Sequence, residues 1–156
     1  MSPSGNVRGF ERTESEHRHV RAKLKELRRL LREASEEGIP DASRRWSEFS
    51  NRLFSLRDDL VLHFHQEESA GLDEAMAVSS PHLADRSETL KSEHVRILAE
   101  LRDVYGAIAG CAATGSQPDE PLRGRILDAL SFLSRHEQRE TELIQRLFQE
   151  ELGSGD

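Results

Sequence analysis

The sequence has few of the residues that stabilise disulfide-bonded domains and large β-sheets. Its 156 residues include one cysteine, one tryptophan and one tyrosine, and aromatic residues make up only 5% of the chain. A single cysteine, Cys111, excludes a disulfide within the chain. No apolar run approaches the roughly 20 residues that a membrane helix needs. The first ten residues, MSPSGNVRGF, also lack the apolar core of a secretory signal. We therefore expect a soluble, cytoplasmic protein.

An excess of positive charge is missing as well. The chain has 22 Lys and Arg against 29 Asp and Glu, which gives a formal net charge of −7. Such a protein is repelled by phosphate backbones and anionic lipids, so we expect neither a nucleic-acid nor a membrane partner. Charged residues nevertheless make up 33% of the sequence, together with many leucines and alanines. That composition is typical of helical bundles, and the length suits one domain with a core.

Three breaks rich in glycine, proline and serine divide the chain into long segments. The breaks are Gly38-Ile39-Pro40, residues 70–82 and residues 110–121. We predict helices over the segments between them, 10–37, 41–70, 82–109 and 119–151. Moderate connections favour antiparallel neighbours, so the expected fold is an all-α, up-down-up-down four-helix bundle with a metal site in its core. The predicted domain is residues 10–152, between a flexible N-terminus (1–9) and a flexible tail (153–156).

Each predicted helix carries an apolar seam with alternating steps of three and four residues, and polar side chains interrupt the seams. The interrupting residues are His17, His63, Glu67, His94, His136 and Glu140. In an antiparallel bundle they lie at one depth, because the histidines of each helix pair are about equally far from the turn between them. The other histidines, His19, His65 and His82, lie off the seams, since a two-residue step turns a helix by about 200°.

Two buried carboxylates at one depth need a positive partner, because burying an unpaired charge is costly. Protons could neutralise them, but bound metal compensates better, and no arginine lies on the seams near this layer. A histidine and a glutamate four residues apart can reach one ion or a bridged pair. Four imidazoles and two carboxylates suit two divalent first-row ions. A single ion such as zinc, and a structural polar layer in a metal-free interaction protein, remain alternatives.

The same residues carry a family resemblance that covers residues 10–150. The motifs are EH at 16–17, HFHQEE at 63–68, SEH at 92–94 and HEQRE at 136–140. Their order and spacing resemble the hemerythrin-like family, also called the HHE cation-binding domain. The resemblance implies two non-haem iron ions as an oxo- or hydroxo-bridged pair. It also implies that Glu67 and Glu140 bridge the ions and that the four histidines cap them.

The sequence departs from the oxygen-carrying hemerythrins, which look like five-histidine sites. The positions four residues after and before His94 are Leu98 and Leu90. A four-histidine site leaves more coordination positions open, which argues against a dedicated reversible oxygen carrier. We expect a protein that binds or reduces O2, peroxide or nitric oxide, in sensing or detoxification. The alternative is iron sensing, storage or donation to iron centres. Peroxide- or nitric-oxide-reducing activity, a protein partner and homo-oligomerisation stay open.

Residues around the six candidate ligands are expected to support the site. We predict an apolar wall that limits water, formed by Leu60, Phe64, Leu90, Leu133 and Leu143. Four glutamates adjoin the candidate ligands in sequence and are predicted to be solvated or supporting residues rather than direct ligands. They are Glu16, Glu68, Glu93 and Glu137.

Overall fold

Four long helices make up the chain. The computed structural model describes residues 3–69 and 80–153, with side chains for residues 11–69 and 80–150. The helices are α1 (Pro3–Ser35), α2 (Ala42–Ser69), α3 (Pro81–Ala113) and α4 (Glu120–Gly153). No strand occurs within these described ranges, so the predicted all-α class is confirmed. The flexible ends predicted at 1–9 and 153–156 lie outside the residues with described side chains, and most of the second break, residues 70–79, lies outside the described residues.

Local sequence explains where the helices begin and end. Gly38 and Gly115 follow α1 and α3 with φ angles of 69° and 70°, a backbone conformation that glycine adopts without strain. Pro81 is the first residue of α3, where its missing N–H is not needed. At the start of α4 the carboxylate of Asp119 accepts a hydrogen bond from the backbone N–H of Leu122 at 2.9 Å, as an N-cap residue does.

Antiparallel packing arranges the helices as a four-helix bundle. Helix α1 packs on α2 and α4, and α3 packs on the same two helices. Arg45, early in α2, lies 3.3 Å from Glu33, late in α1. Likewise Arg125, early in α4, lies 2.8 Å from Glu100 in the later half of α3. No described helix contains a stretch apolar enough to span a lipid bilayer.

Two apolar clusters fill the bundle on either side of a polar layer. The larger cluster includes Phe49, Leu53 and Leu56, each 0% exposed, and extends over all four helices. The smaller one lies beyond the layer and contains Leu83, Leu90, Leu143 and Leu147. Every predicted seam position of α3, from Leu83 to Ile108, is buried. The seams of α1 and α4 are wider than predicted, because Leu30, Leu130 and Ile144 are buried beside them.

Candidate metal centre

The polar layer brings the six candidate ligands together inside the bundle. The four histidines are at most 5% exposed and Glu140 is 8% exposed. The side chain of Glu67 is 15% exposed and completes the layer. By contrast, His19, His65 and His82 are exposed, as the helical phase predicts. The sequence therefore placed these side chains on the correct faces of their helices.

In α2 and α4 the imidazole rings are fixed by glutamates of the preceding helix. The Nδ1 of His63 donates to an oxygen of Glu16 at 2.8 Å. In the same way, the Nδ1 of His136 donates to an oxygen of Glu93 at 3.2 Å. Arg139 in turn binds Glu93, with an Nη1–Oε1 distance of 2.7 Å. Donation from Nδ1 leaves Nε2 as the nitrogen that can ligate a metal.

The rings of α1 and α3 are fixed across the bundle instead. His94 donates from Nδ1 to Glu68 at 3.2 Å. His17 donates from Nδ1 to the Thr141 hydroxyl at 3.0 Å, and that hydroxyl donates to the backbone carbonyl of Glu137 at 2.9 Å. Because the hydroxyl proton is used on the carbonyl, Thr141 can only accept from His17. All four rings thus turn Nε2 toward the centre of the layer.

The Nε2 atoms meet carboxylate oxygens there. Within their helices, His63 Nε2 lies 2.5 Å from Glu67 Oε1, and His136 Nε2 lies 3.0 Å from Glu140 Oε2. The spacing of four residues puts each pair on one face, one turn apart. Each contact brings an imidazole nitrogen next to a carboxylate oxygen, and first-row metals accept both kinds of ligand.

Glu67 and Glu140 also reach histidines of other helices. Glu67 places Oε1 3.3 Å from His17 Nε2 and Oε2 3.5 Å from His94 Nε2. Glu140 Oε2 lies 3.9 Å from His17 Nε2 as well as close to His136. Each carboxylate therefore lies between a histidine of the first helix pair and a histidine of the second. A carboxylate in that position would be able to contact ions held by either histidine pair.

Several inward-facing atoms of this layer lack hydrogen-bond partners. Among the described residues these include the Nε2 atoms of His63, His94 and His136, one oxygen of Glu67 and both oxygens of Glu137. Nearby carboxylates are close to the rings but do not have hydrogen-bond geometry with these nitrogens. Buried polar atoms are nearly always satisfied, and each unsatisfied one costs about 1–3 kcal/mol. Metal ions fit this donor set, because they would bind these nitrogen and oxygen lone pairs together.

Two groups of atoms could each hold an ion. The ligand atoms of His17, His63, Glu137 and Glu140 lie within 4.8 Å of one another, and so do those of His94, His136 and Glu140. We call them the first and the second metal position. Glu140 belongs to both groups, so the two positions are adjacent.

Glu137 is the residue of this centre that the seam pattern did not find. The sequence predicted a solvated or supporting role, but the side chain is 1% exposed and faces the first metal position. A signal for its burial is present in α4, since Leu130, Glu137 and Ile144 form a second stripe with a spacing of seven residues. That stripe is buried along its length beside the predicted seam, which marks Glu137 as an acid on an apolar face.

Charges in the layer shift the pKa values of its members in opposite directions. Burial disfavours the charged form of His63, but contact with Glu67, the charge of Glu137 and the hydrogen bond to Glu16 outweigh it and raise the pKa of His63 to about 9. Burial and repulsion from His94 lower the pKa of His136 to about 4. Without metal and near pH 7, the imidazole of His63 in the first helix pair is therefore protonated, and that of His136 in the second pair is neutral.

The carboxylates respond to the same charges. For Glu67, burial favours the neutral form, but contacts with Glu140, His17 and His63 prevail and lower its pKa well below the ordinary value. Burial raises the pKa of Glu137 to about 7, against the attraction of His17 and His63. Protons are therefore part of what neutralises the layer when no metal is bound, and a metal ion would have to displace them.

Apolar side chains enclose the centre as predicted. The wall residues Leu60, Phe64, Leu90, Leu133 and Leu143 are all buried. Phe64 stacks on the ring of His94 with a centroid distance of 3.9 Å and an interplanar angle of 6°. One side is less closed, because a cleft of about 340 Å³ between α1 and α2 is lined by Glu16 and reaches His63. Glu16 is 30% exposed there, against 12% for Glu93 on the opposite side.

Comparison with known families agrees with this geometry. A family model described as the hemerythrin HHE cation binding domain matches residues 8–148, nearly the whole chain. No curated protein and no solved structure matches the chain. The matched range contains all six candidate ligands, and the cations that name the family are what the buried imidazole and carboxylate atoms could hold.

Proposed function

Because the chain belongs to the hemerythrin HHE cation-binding domain family, we propose that it binds two non-haem iron ions and binds or reduces O2, peroxide or nitric oxide. The ligands in this proposal are His17, His63, Glu67, His94, His136 and Glu140. The observation that carries it is the convergence of unpartnered ring nitrogens on carboxylates that lie between two histidine pairs. A structural polar layer would instead satisfy those nitrogens within the protein.

Iron fits the donors better than calcium or magnesium, which prefer sites made of oxygen. Imidazole with carboxylate suits iron, and paired carboxylates between helices are how bundles hold two such ions. When bound, iron supplies redox electrons and coordination positions for a small oxidant or diatomic ligand. The protein contributes the orientation of four rings through their Nδ1 contacts. Its apolar wall excludes bulk water from the layer.

Metal content and optical absorption test this function together. Protein reduced and loaded anaerobically with Fe(II) should hold about two irons per chain. Its near-ultraviolet and visible absorption should change on adding O2, peroxide or nitric oxide. His63→Ala should lower the iron content, whereas the matched variant His65→Ala, exposed on the same helix, should not. Two bound irons with an unchanged spectrum would exclude the reaction, and a chain without iron would exclude the metal centre itself.

Iron exchange is the second candidate function, and one feature favours it. The cleft between α1 and α2 is lined by His63 and by the partly exposed Glu16, and it gives solvent a route to His63. Through this route iron could enter and leave, as sensing, storage or donation to iron centres requires. Loaded protein should then pass its iron to an apoprotein acceptor within minutes and in competition with a mild chelator. Retention of both irons against that chelator would favour the redox function instead.

A further inference from the structure

The two helix pairs repeat the same set of contacts around the layer. Glu16 accepts from His63 as Glu93 accepts from His136. His17 and His94 are held by Thr141 and Glu68, which occupy equivalent places, each five residues after the second histidine of its pair. The positions 16, 17, 63, 67 and 68 thus correspond to 93, 94, 136, 140 and 141. By itself, this correspondence would give two equivalent metal positions.

The correspondence breaks at the residue that follows the second histidine of each helix pair. The residue after His63 is Phe64, and the residue after His136 is Glu137, and both side chains are buried. Phe64 stacks on His94 and contacts His136 edge-on at a centroid distance of 5.6 Å. It therefore covers the second metal position with an apolar ring. At the equivalent place beside the first metal position the chain has a carboxylate.

Glu137 is aimed at the first metal position. Its Oε2 lies 3.5 Å from His17 Nε2, and its Oε1 lies 4.0 Å from His63 Nε2. Both oxygens are buried and have no hydrogen-bond partner in the part of the chain that the structure describes. A buried carboxylate is retained at a cost unless charge compensates it. The imidazoles of His17 and His63 lie beside these two oxygens, and the proposed metals would engage the same two rings.

We propose that Glu137 is a further ligand, bound only to the ion at the first metal position, and that the two ions are therefore inequivalent. This inference rests on the proposed diiron function. The first ion would have five protein ligands, namely His17, His63, Glu67, Glu137 and Glu140. The second would have four, namely His94, His136, Glu67 and Glu140. The positions that exchange with small ligands then lie mainly on the second ion, beside Phe64.

Mössbauer spectroscopy of the fully loaded, oxidised protein reports the inequivalence without an activity assay. Wild-type protein holding ⁵⁷Fe should show two quadrupole doublets of equal area. Glu137→Gln keeps the size of the side chain and removes its charge, so the two doublets should move together into one. The matched control is Glu142→Gln, which changes an exposed glutamate on the same helix and should leave both doublets in place.

Chelator release gives a second measurement. In wild-type protein the iron should leave in two phases, with the slower one from the first position because of its extra anionic ligand. Glu137→Gln should speed the slow phase by roughly tenfold or more and leave the fast phase unchanged. Glu142→Gln should alter neither phase.

The outcomes separate this inference from the proposed function. Two irons per chain with a single doublet in wild-type protein would overturn the inference and leave the diiron function intact. Two doublets that persist in Glu137→Gln would also overturn it, because the asymmetry would then have another source. Failure of wild-type protein to bind two irons would remove the proposed function and the inference together.

Discussion

Replacing His63 by glutamine in the metal-free protein tests the charge balance of the layer directly. The Nε2 of His63 lies 2.5 Å from Glu67 Oε1, and its surroundings raise its pKa from 6.5 to about 9. A shift of that size corresponds to about 3 kcal/mol of stabilisation from the protonated ring. The side chain is 5% exposed, so solvent screens this interaction little. Glutamine keeps a polar side chain of similar length and cannot take up the proton.

The sign of the effect follows from proton binding. The folded state binds the proton of His63 more tightly than the unfolded state, so its stabilisation is complete below about pH 6.5. It is lost as the pH rises through about 9, where the folded protein releases the proton. His63→Gln should therefore lower the free energy of unfolding by about 3 kcal/mol more at pH 6 than at about pH 9.5. The loss of packing is the same at both values and cancels in the comparison.

Urea unfolding followed by circular dichroism measures this difference. Wild-type protein and the variant should both be treated with a chelator first, so that metal does not contribute. The control is His65→Gln, because His65 is exposed on the same helix and its replacement should have little effect at either pH. An equal destabilisation by His63→Gln at both pH values would refute the proposed balance between this imidazole and its neighbouring carboxylates.

Further predictions concern metal affinity and the core. Metal must displace the proton of His63, so affinity should rise about tenfold per pH unit from pH 7 to about 9 and then level off, as measured by competition with a chelator. Glu93→Gln, which weakens the acceptor for His136, should lower metal affinity about 10- to 100-fold in the same titration. Phe49→Ala should lower the free energy of unfolding by about 3–5 kcal/mol in urea without changing metal content.

A control variant or a contradicting outcome can be named for each of these three predictions. Affinity independent of pH between 7 and 9 would mean that His63 is already neutral in the metal-free protein. Glu88→Gln changes an exposed glutamate on the same helix as Glu93 and should leave affinity unchanged. Equal effects of the two glutamine variants would argue against ring orientation by Glu93. Loss of metal from Phe49→Ala would show that the larger apolar cluster determines the geometry of the layer.

The helices and the six polar seam residues could be predicted from sequence because apolar periodicity fixes which face of a helix is buried. In α3 every described seam position is buried, including His94. The periodicity does not give the rotation of one helix against the next, which determines side-chain contacts. It therefore gave no reason to connect Thr141 with His17, residues 124 positions apart in sequence. That contact depends on α1 and α4 packing side by side.

Glu137 shows a different limit of the same method. A seam with alternating steps of three and four accounts for His136 and Glu140 and passes by the three residues between them, which include Glu137. The buried face of α4 is wider, because α4 packs on both α1 and α3. A helix with two packing neighbours buries a second stripe, and here that stripe contains the acid. A search for two buried stripes on α4, rather than one seam, would have predicted that Glu137 is buried.

Metal should matter more for one end of the bundle than for the other. The larger apolar cluster spans all four helices, whereas the smaller one beyond the layer contains four leucines among the residues with described side chains. Without metal, the unpartnered carboxylate and imidazole atoms between the clusters separate the small cluster from the large one. Local stability follows the amount of buried apolar contact, so removal of metal should loosen that small end first. Hydrogen exchange should then quicken around Leu83 and Leu147 and stay slow around Leu53 and Leu101. Uniform loss of protection would mean that the layer stabilises the whole bundle as one cooperative unit.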